Sequence, residues 1–436
     1  MKLMKKHKQN IKWDRVAILA GAALLILFGL VLGIRLILGR FSQSSNQTTS
    51  SQTQQETTSQ SNQNQSESRE ENKKEETEKK EAEKKEEKKD DSVKKKLESM
   101  SLEEKVAQMI MVSPEQITFT ENFIVNYDET VQNALNTYPV GGIILFSNNV
   151  YDLEQVNSLL TNTYTYNNEV NKVPLLLAID EEGGEVSRLA PTGAMTPFSP
   201  MYYYKDEGEE VAKSNAATIA SDLKQFGFNT DFAPVADTWS NPNNTVIATR
   251  AYSDDYNQAS ILVKAAVQGF KDENIICTLK HFPGHGDTVE DSHYSSAYSY
   301  KTLEELQAGE FLPFIAGIEG GADMVMTGHI ILPELDGTYP ASLSPTIINI
   351  LRNDLKFKGV IITDDLCMDS INTVYTVEDA AVQAVLAGND MLLRPADVDA
   401  AKNAIIAAVE NGTITEERID ESVTRILTMK HEHGMF

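Results

Sequence analysis

Eight short apolar runs punctuate residues 97–436: VAQMIMV, GGIILF, PLLLAID, TDFAPVAD, IICTLKHF, ADMVMTGHI, GVIITDDL and DMLLRP. Each is nearly continuous in hydrophobicity rather than alternating, the pattern of a strand buried on both faces of a parallel sheet. Between them lie longer stretches with helical spacing, such as VAKSNAATIASDLKQFG (211–227) and DAAVQAVLAG (379–388), whose closing glycines suit helix ends. Eight such units predict an α/β protein with a (β/α)8 barrel of the TIM type, an open doubly wound sheet being the alternative.

The polar positions are equally ordered. Asp180, Asp237, His281, His329, Asp364 and Arg394 stand at the C-terminal ends of the apolar runs, where barrel enzymes assemble their sites. Any one of them alone would serve to cap the helix that follows. Six together mark a rim.

The N-terminal quarter has a different pattern. Val16–Ile34 is a run of 19 residues without a charge, roughly 28 Å long as a helix and enough to cross a bilayer. Lys2, Lys5, Lys6, Lys8, Lys12 and Arg15 precede it, which keeps the N-terminus cytoplasmic and sends the rest outward. A cleaved signal peptide is the rival, but no small-x-small cleavage site follows. The expected organisation is a basic cytoplasmic tail (1–15), a transmembrane anchor (16–38), a Ser/Gln-rich then Glu/Lys-rich linker (39–96) and one barrel domain (97–436). Glu75 with Lys79 and Glu81 with Lys85 are spaced i,i+4, so the second half of that linker is expected to be partly helical.

Charge and cysteine count narrow the partners. Residues 97–436 carry 19 Lys or Arg against 50 Asp or Glu, a net charge of −31 that repels polyanions, so no nucleic acid is expected to bind. Cys277 and Cys367, the only cysteines, both lie in strand-like runs and are expected to be buried thiols rather than a disulfide framework.

The chemistry concentrates in KHFPGHGDTVEDSH (280–293), where three of seven histidines fall on a Gly/Pro-rich loop after a strand. His281, His285 and His293 raise the alternative of a metal site, but their spacing is not a zinc pattern. Asp291 beside His293 reads instead as a carboxylate that orients an imidazole and raises its basicity for proton transfer near neutral pH. GVIITDDL supplies the reactive partner: of Asp364 and Asp365, adjacent in extended backbone, one is expected to face the rim while the other caps or forms an ion pair. With no nucleotide loop and no serine elbow, a lone carboxylate facing a proton shuttle suits displacement at an anomeric carbon through a glycosyl-enzyme intermediate.

KHFPGHG-x4-DSH, together with the LRND segment leading into GVIITDD, resembles glycoside hydrolase family 3, in particular its bacterial β-N-acetylglucosaminidase branch, over essentially all of residues 97–436. The resemblance implies Asp364 as nucleophile and His293 with Asp291 as the acid/base dyad. It further implies Asp180, Arg188, Arg250, Lys280 and His281 as sugar-binding residues, and His329 as a pocket neighbour. The implied protein is a monomer that needs no cofactor or metal and removes terminal GlcNAc from peptidoglycan-derived GlcNAc-MurNAc fragments, stationed outside the cell by its anchor. A retaining β-glycosidase of other specificity and a noncatalytic carbohydrate-binding protein are the alternatives. Glu185, where the branch usually has a basic residue, and Cys367, where it commonly has Ser, depart from the pattern. Gly284 and Gly286 are expected to let the loop swing, and His431 and His433 to be exposed.

Overall fold

The computed structural model describes residues 91–289, 291–292 and 296–436. Each apolar run contains a strand: β1 (Ile110–Val112), β2 (Gly142–Ile144), β3 (Leu176–Ile179), β4 (Thr230–Asp231), β5 (Ile276–Phe282), β6 (Met324–Thr327), β7 (Val360–Thr363) and β8 (Leu392–Leu393). They are ordered β7-β6-β5-β4-β3-β2-β1-β8, and every neighbouring pair is parallel. A doubly wound sheet would reverse its order midway. Here β1 pairs with β2 on one side and β8 on the other, and a parallel bridge between Ile362 and Met391 joins the remaining edges, so the sheet is nearly closed into a barrel.

Burial on both faces explains why the runs do not alternate. In β3, Leu177 and Ile179 pack in one buried cluster and Leu176 and Ala178 in another, so each face of the strand meets apolar neighbours. The intervening helices begin where a short polar side chain accepts an amide proton: Asp152 from Gln155, Asp255 from Gln258, Thr376 from Asp379 and Asp397 from Ala400. Helices Glu209–Phe226 and Val377–Ala387 end at Gly227 and Gly388, whose φ of 97° and 117° only glycine adopts without strain.

The end of the barrel opposite the rim is closed by the C-terminal helix Glu416–Glu432. Its Lys430 is fully buried and donates to Gln108 Oε1, Gly141 O and Pro174 O at 2.9, 2.8 and 2.7 Å, tying together the segments that enter the first three strands. His433 is not the exposed tail residue expected: its Nε2 meets Asp323 Oδ1 at 2.9 Å, and its side chain is 11% exposed. The helix turns onto the barrel floor there, and Asp323 also accepts the amide of Cys277.

The packed body starts earlier than residue 97. Residues 91–98 are helical and Val93 is buried in the core, so the last turn of the predicted linker is part of the folded domain. Both cysteines are free, but only Cys277 is buried; Cys367 is half-buried with its thiol 3.1 Å from Arg394 O. The expected anchor at 16–38 and the linker up to residue 90 lie outside the described residues. Among the described residues, no helix is long and apolar enough to cross a membrane.

Candidate active site

At the C-terminal ends of the strands the barrel opens into a cavity of about 330 Å³. Asp180, Arg188, Arg250, Lys280, His281 and Asp364 all reach it, arriving from four different barrel strands or the loops after them. Six of the eight site residues expected from sequence are thus brought together. Asp291 is half-buried on the loop after β5, and His293 lies outside the described residues.

Local geometry explains how neighbours in sequence share the cavity. Lys280 and His281 are consecutive in β5, and strand alternation would send them to opposite faces. The pairing register of β5 on β6 shifts between Leu279 and Phe282, the peptide joining Lys280 to His281 is cis, and both side chains line the cavity. Asp364 and Asp365 likewise both line the cavity, against the expectation that only one would. The extended backbone stops at Thr363, and the chain turns as the Asp365 amide donates to Asp364 Oδ1 at 2.8 Å. Asp365 forms the anticipated ion pair, to Arg394 Nη1 at 2.6 Å, and caps the Cys367 amide.

The polar floor is a chain of alternating charges. Lys280 Nζ lies 2.8 Å from Asp180 Oδ1 and 2.7 Å from Glu182 Oε1, and Arg188 Nη2 is 3.7 Å from Asp180 Oδ2. Arg250 clasps Glu182 with two parallel hydrogen bonds, both 2.8 Å. Burial opposes charge on Glu182, but Arg250 and Lys280 outweigh it and hold the carboxyl well below its usual range. Burial likewise opposes charge on Lys280, and Asp180 and Glu182 hold its ammonium above its usual range. With two N–H groups engaged, the third remains for a ligand oxygen.

Glu182 was not anticipated from sequence. The signal was present in IDEEGG: Asp180 and Glu182 are two apart, and residues Glu181–Gly183 form a hairpin with Val186–Ser187. Extended backbone therefore puts 180 and 182 on the cavity side and Glu181 behind. Glu181 is buried beside Asp231, and burial pushes its carboxyl up to about 7. The turn requires its glycine, because a Cβ on Gly184 (φ 64°) would lie 2.5 Å from Pro200 Cα.

Asp237 and His329 are supports rather than ligands. Asp237 is buried; its Oδ2 meets His281 Nδ1 at 2.7 Å, and its Oδ1 accepts the His285 amide at 2.6 Å. His329, also buried, bonds Ser342 Oγ at 2.7 Å and the Asp365 carbonyl at 3.0 Å, fixing the turn that carries Asp364. Neither ring nitrogen of His285 is open to a metal: Thr288 Oγ1 and Ser292 Oγ lie at 2.7 and 3.0 Å. Burial pushes that ring down to about 4, so it is neutral at neutral pH.

The stem of the loop is not the hinge expected from its glycines. A Cβ on Gly286 would sit 1.6 Å from Thr238 O, and Asn244 Nδ2 donates to both His285 O and Thr288 O. Gly286 is there because two backbones touch.

Carboxylates and cations are thus paired along a cavity at the C-terminal ends of the strands, where barrel enzymes assemble their sites. The chain belongs to glycosyl hydrolase family 3: residues 101–429 match the model of the "Glycosyl hydrolase family 3 N terminal domain". It is 33% identical over 327 residues to a beta-hexosaminidase A of Pseudoalteromonas piscicida, covering 69% of this chain and 54% of that protein. A beta-hexosaminidase of Xylella fastidiosa (strain M23) is 35% identical over 260 residues, covering 58% of this chain and 76% of that one. Among solved structures, a glycoside hydrolase family 3 beta-N-acetylglucosaminidase from Paenibacillus sp. str. FPU-7 superposes with a TM-score of 0.72 at 37% identity, over 77% of this chain and 63% of that one. The chain therefore spans little more than half of the first of these relatives.

Proposed function

We propose that this protein is a retaining β-N-acetylhexosaminidase acting on terminal β-GlcNAc, with peptidoglycan-derived GlcNAc-MurNAc fragments as its substrates. The observation that carries the reading is that Asp364 shares one cavity with Asp180, Lys280 and His281. Asp180 accepts from sugar hydroxyls while Lys280 and Arg188 donate, which fixes the ring over Asp364. An Asp364 carboxylate oxygen attacks C1 as the glycosidic C1–O bond breaks, and protonated His293, oriented by Asp291, gives its proton to the departing oxygen. Neutral His293 then takes a proton from water, whose oxygen displaces the carboxylate from C1 and restores the enzyme. The anchor expected at 16–38 places this chemistry outside the cell, at the wall. No metal or cofactor takes part.

The deciding experiment offers the protein a panel of GlcNAc-MurNAc, its peptide form, p-nitrophenyl β-GlcNAc and p-nitrophenyl β-glucoside. Hydrolysis of the first three with retained anomeric configuration is expected, and a preference for the glucoside would refute the assignment. The dyad has its own test in His293→Ala. Substrates with poor leaving groups should lose at least about 100-fold more kcat/KM than those with good ones, because a good leaving group departs unprotonated. Equal losses on both would remove His293 from the role.

A further inference from the structure

A second cavity, of about 600 Å³, lies at the opposite end of the barrel from Asp364, where Asp323 and Lys358–Gly359 lead into β6 and β7 and the C-terminal helix closes the floor. We propose that it is a binding site for a phosphate-bearing anion.

The lining carries more positive charge than its acids answer. Lys271 and Lys358, both exposed, line the cavity, and among the described residues neither has a carboxylate within ion-pair distance. Arg425, a third cation on the wall, meets Asp390 Oδ1 at 3.0 Å, but that carboxylate also serves Arg352 at 2.6 Å and Arg418 at 3.9 Å. Three guanidiniums thus converge on one buried carboxylate, and Glu421, 3.9 Å from Arg425, is largely exposed. Of the two acids in the lining, Asp323 is engaged by His433 and the Cys277 amide, and Glu432 sits exposed at the margin.

The remaining lining is of hydrogen-bonding type. Thr424 and Thr428 bring hydroxyls from the helix that carries Arg425, and the Nδ1 atom of His433 is buried with no hydrogen-bond partner among the described residues. Two glycines of the lining are set by close neighbours. A Cβ on Gly321 (φ 92°) would lie 2.3 Å from Lys271 Nζ, and one on Gly359 would lie 2.3 Å from Asp323 O. Lysine point charges, one guanidinium and two hydroxyls suit a tetrahedral oxyanion with several acceptor oxygens and up to two charges. On a domain whose net charge is −31, diffuse attraction of anions is ruled out, so such a ligand needs a local cationic pocket of this sort.

The test uses the whole protein, with inorganic phosphate, glycerol 3-phosphate and a glycerophosphodiester as probes, and sodium chloride of matched ionic strength as control. At saturation at least one probe is expected to raise Tm by about 2 °C or more over the chloride control, through preferential binding to the folded state. The double variant Lys271→Met/Lys358→Met should weaken that binding at least about tenfold by calorimetric titration while hydrolysing p-nitrophenyl β-GlcNAc at the wild-type rate, which shows that it folds. Which probe binds separates a monoester or free phosphate from a diester source. A Tm that follows ionic strength alone for all three probes, or an affinity unchanged in the double variant, overturns the proposal.

Discussion

Asp364→Asn is expected to abolish turnover and covalent trapping together. The substitution is isosteric and sits where the backbone is already fixed, the Asp364 amide donating to Thr327 O at 2.9 Å and its side chain accepting from the Asp365 amide at 2.8 Å. An amide oxygen accepts that second bond as a carboxylate does, so fold and cavity should survive. The nucleophile proposed at Asp364 does not, because a neutral amide cannot form the glycosyl ester. Loss in kcat/KM on p-nitrophenyl β-GlcNAc should be on the order of 10⁴-fold or more. Mass spectrometry after reaction with a 5-fluoro glycosyl fluoride should find the added sugar on the Asp364 peptide of the wild type and none in the variant. Asp365→Asn serves as comparison: its carboxylate is occupied by Arg394 and the Cys367 amide, so it should keep the trapped adduct at reduced rate. An Asp364→Asn protein within tenfold of wild-type activity would transfer the nucleophile's role elsewhere.

The barrel was legible because its strands are buried on both faces and its helices carry their own punctuation. Continuous apolar runs set the eight strands, and Gly227 and Gly388 marked helix ends that the structure places one residue before each. The polar residues that end strands were legible as a rim for the same reason, since a run otherwise wholly apolar has no packing use for Asp180 or Asp364. What escaped was geometry that departs from regular strand alternation. The irregularity in β5 at Lys280 and His281, and the turn that brings both Asp364 and Asp365 to the cavity, depend on tertiary register rather than local pattern. His433 escaped for a related reason: near a chain end the sequence resembles a solvated tail, and only its partner 110 positions away makes it structural. The supports Asp237 and His329 stood in the rim list, but their roles are set by what lies beneath them.

Glu182, the residue that strand alternation would have found, carries the second large effect. Its carboxylate is buried and is the common partner of Arg250 and Lys280. Glu182→Gln leaves Arg250 and Lys280 in a poorly solvated floor with only Asp180, which Arg188 already shares, to answer them, and breaking a buried pair from one side typically costs about 3–5 kcal/mol. Urea unfolding should show a loss of that size. Activity should fall as well, because Lys280 would then follow Asp180 and lose the second anchor that points its free N–H at the substrate. The pH dependence distinguishes charge from packing. The folded-state pKa of Glu182 is depressed, so its contribution is present above the ordinary value of 4.5 and is lost as pH falls through the depressed one. The stability gap between wild type and Glu182→Gln should accordingly be full at neutral pH and narrow below that value, whereas a gap due to packing would not move. Adding Arg250→Gln removes one of the two cations left without Glu182 and should return part of the stability without returning activity, since Lys280 is still no longer held on two sides. If the single variant unfolds within 1 kcal/mol of wild type, on the scale of exposed pairs, the floor is more hydrated than its burial implies and the alternating-charge account of the site is wrong.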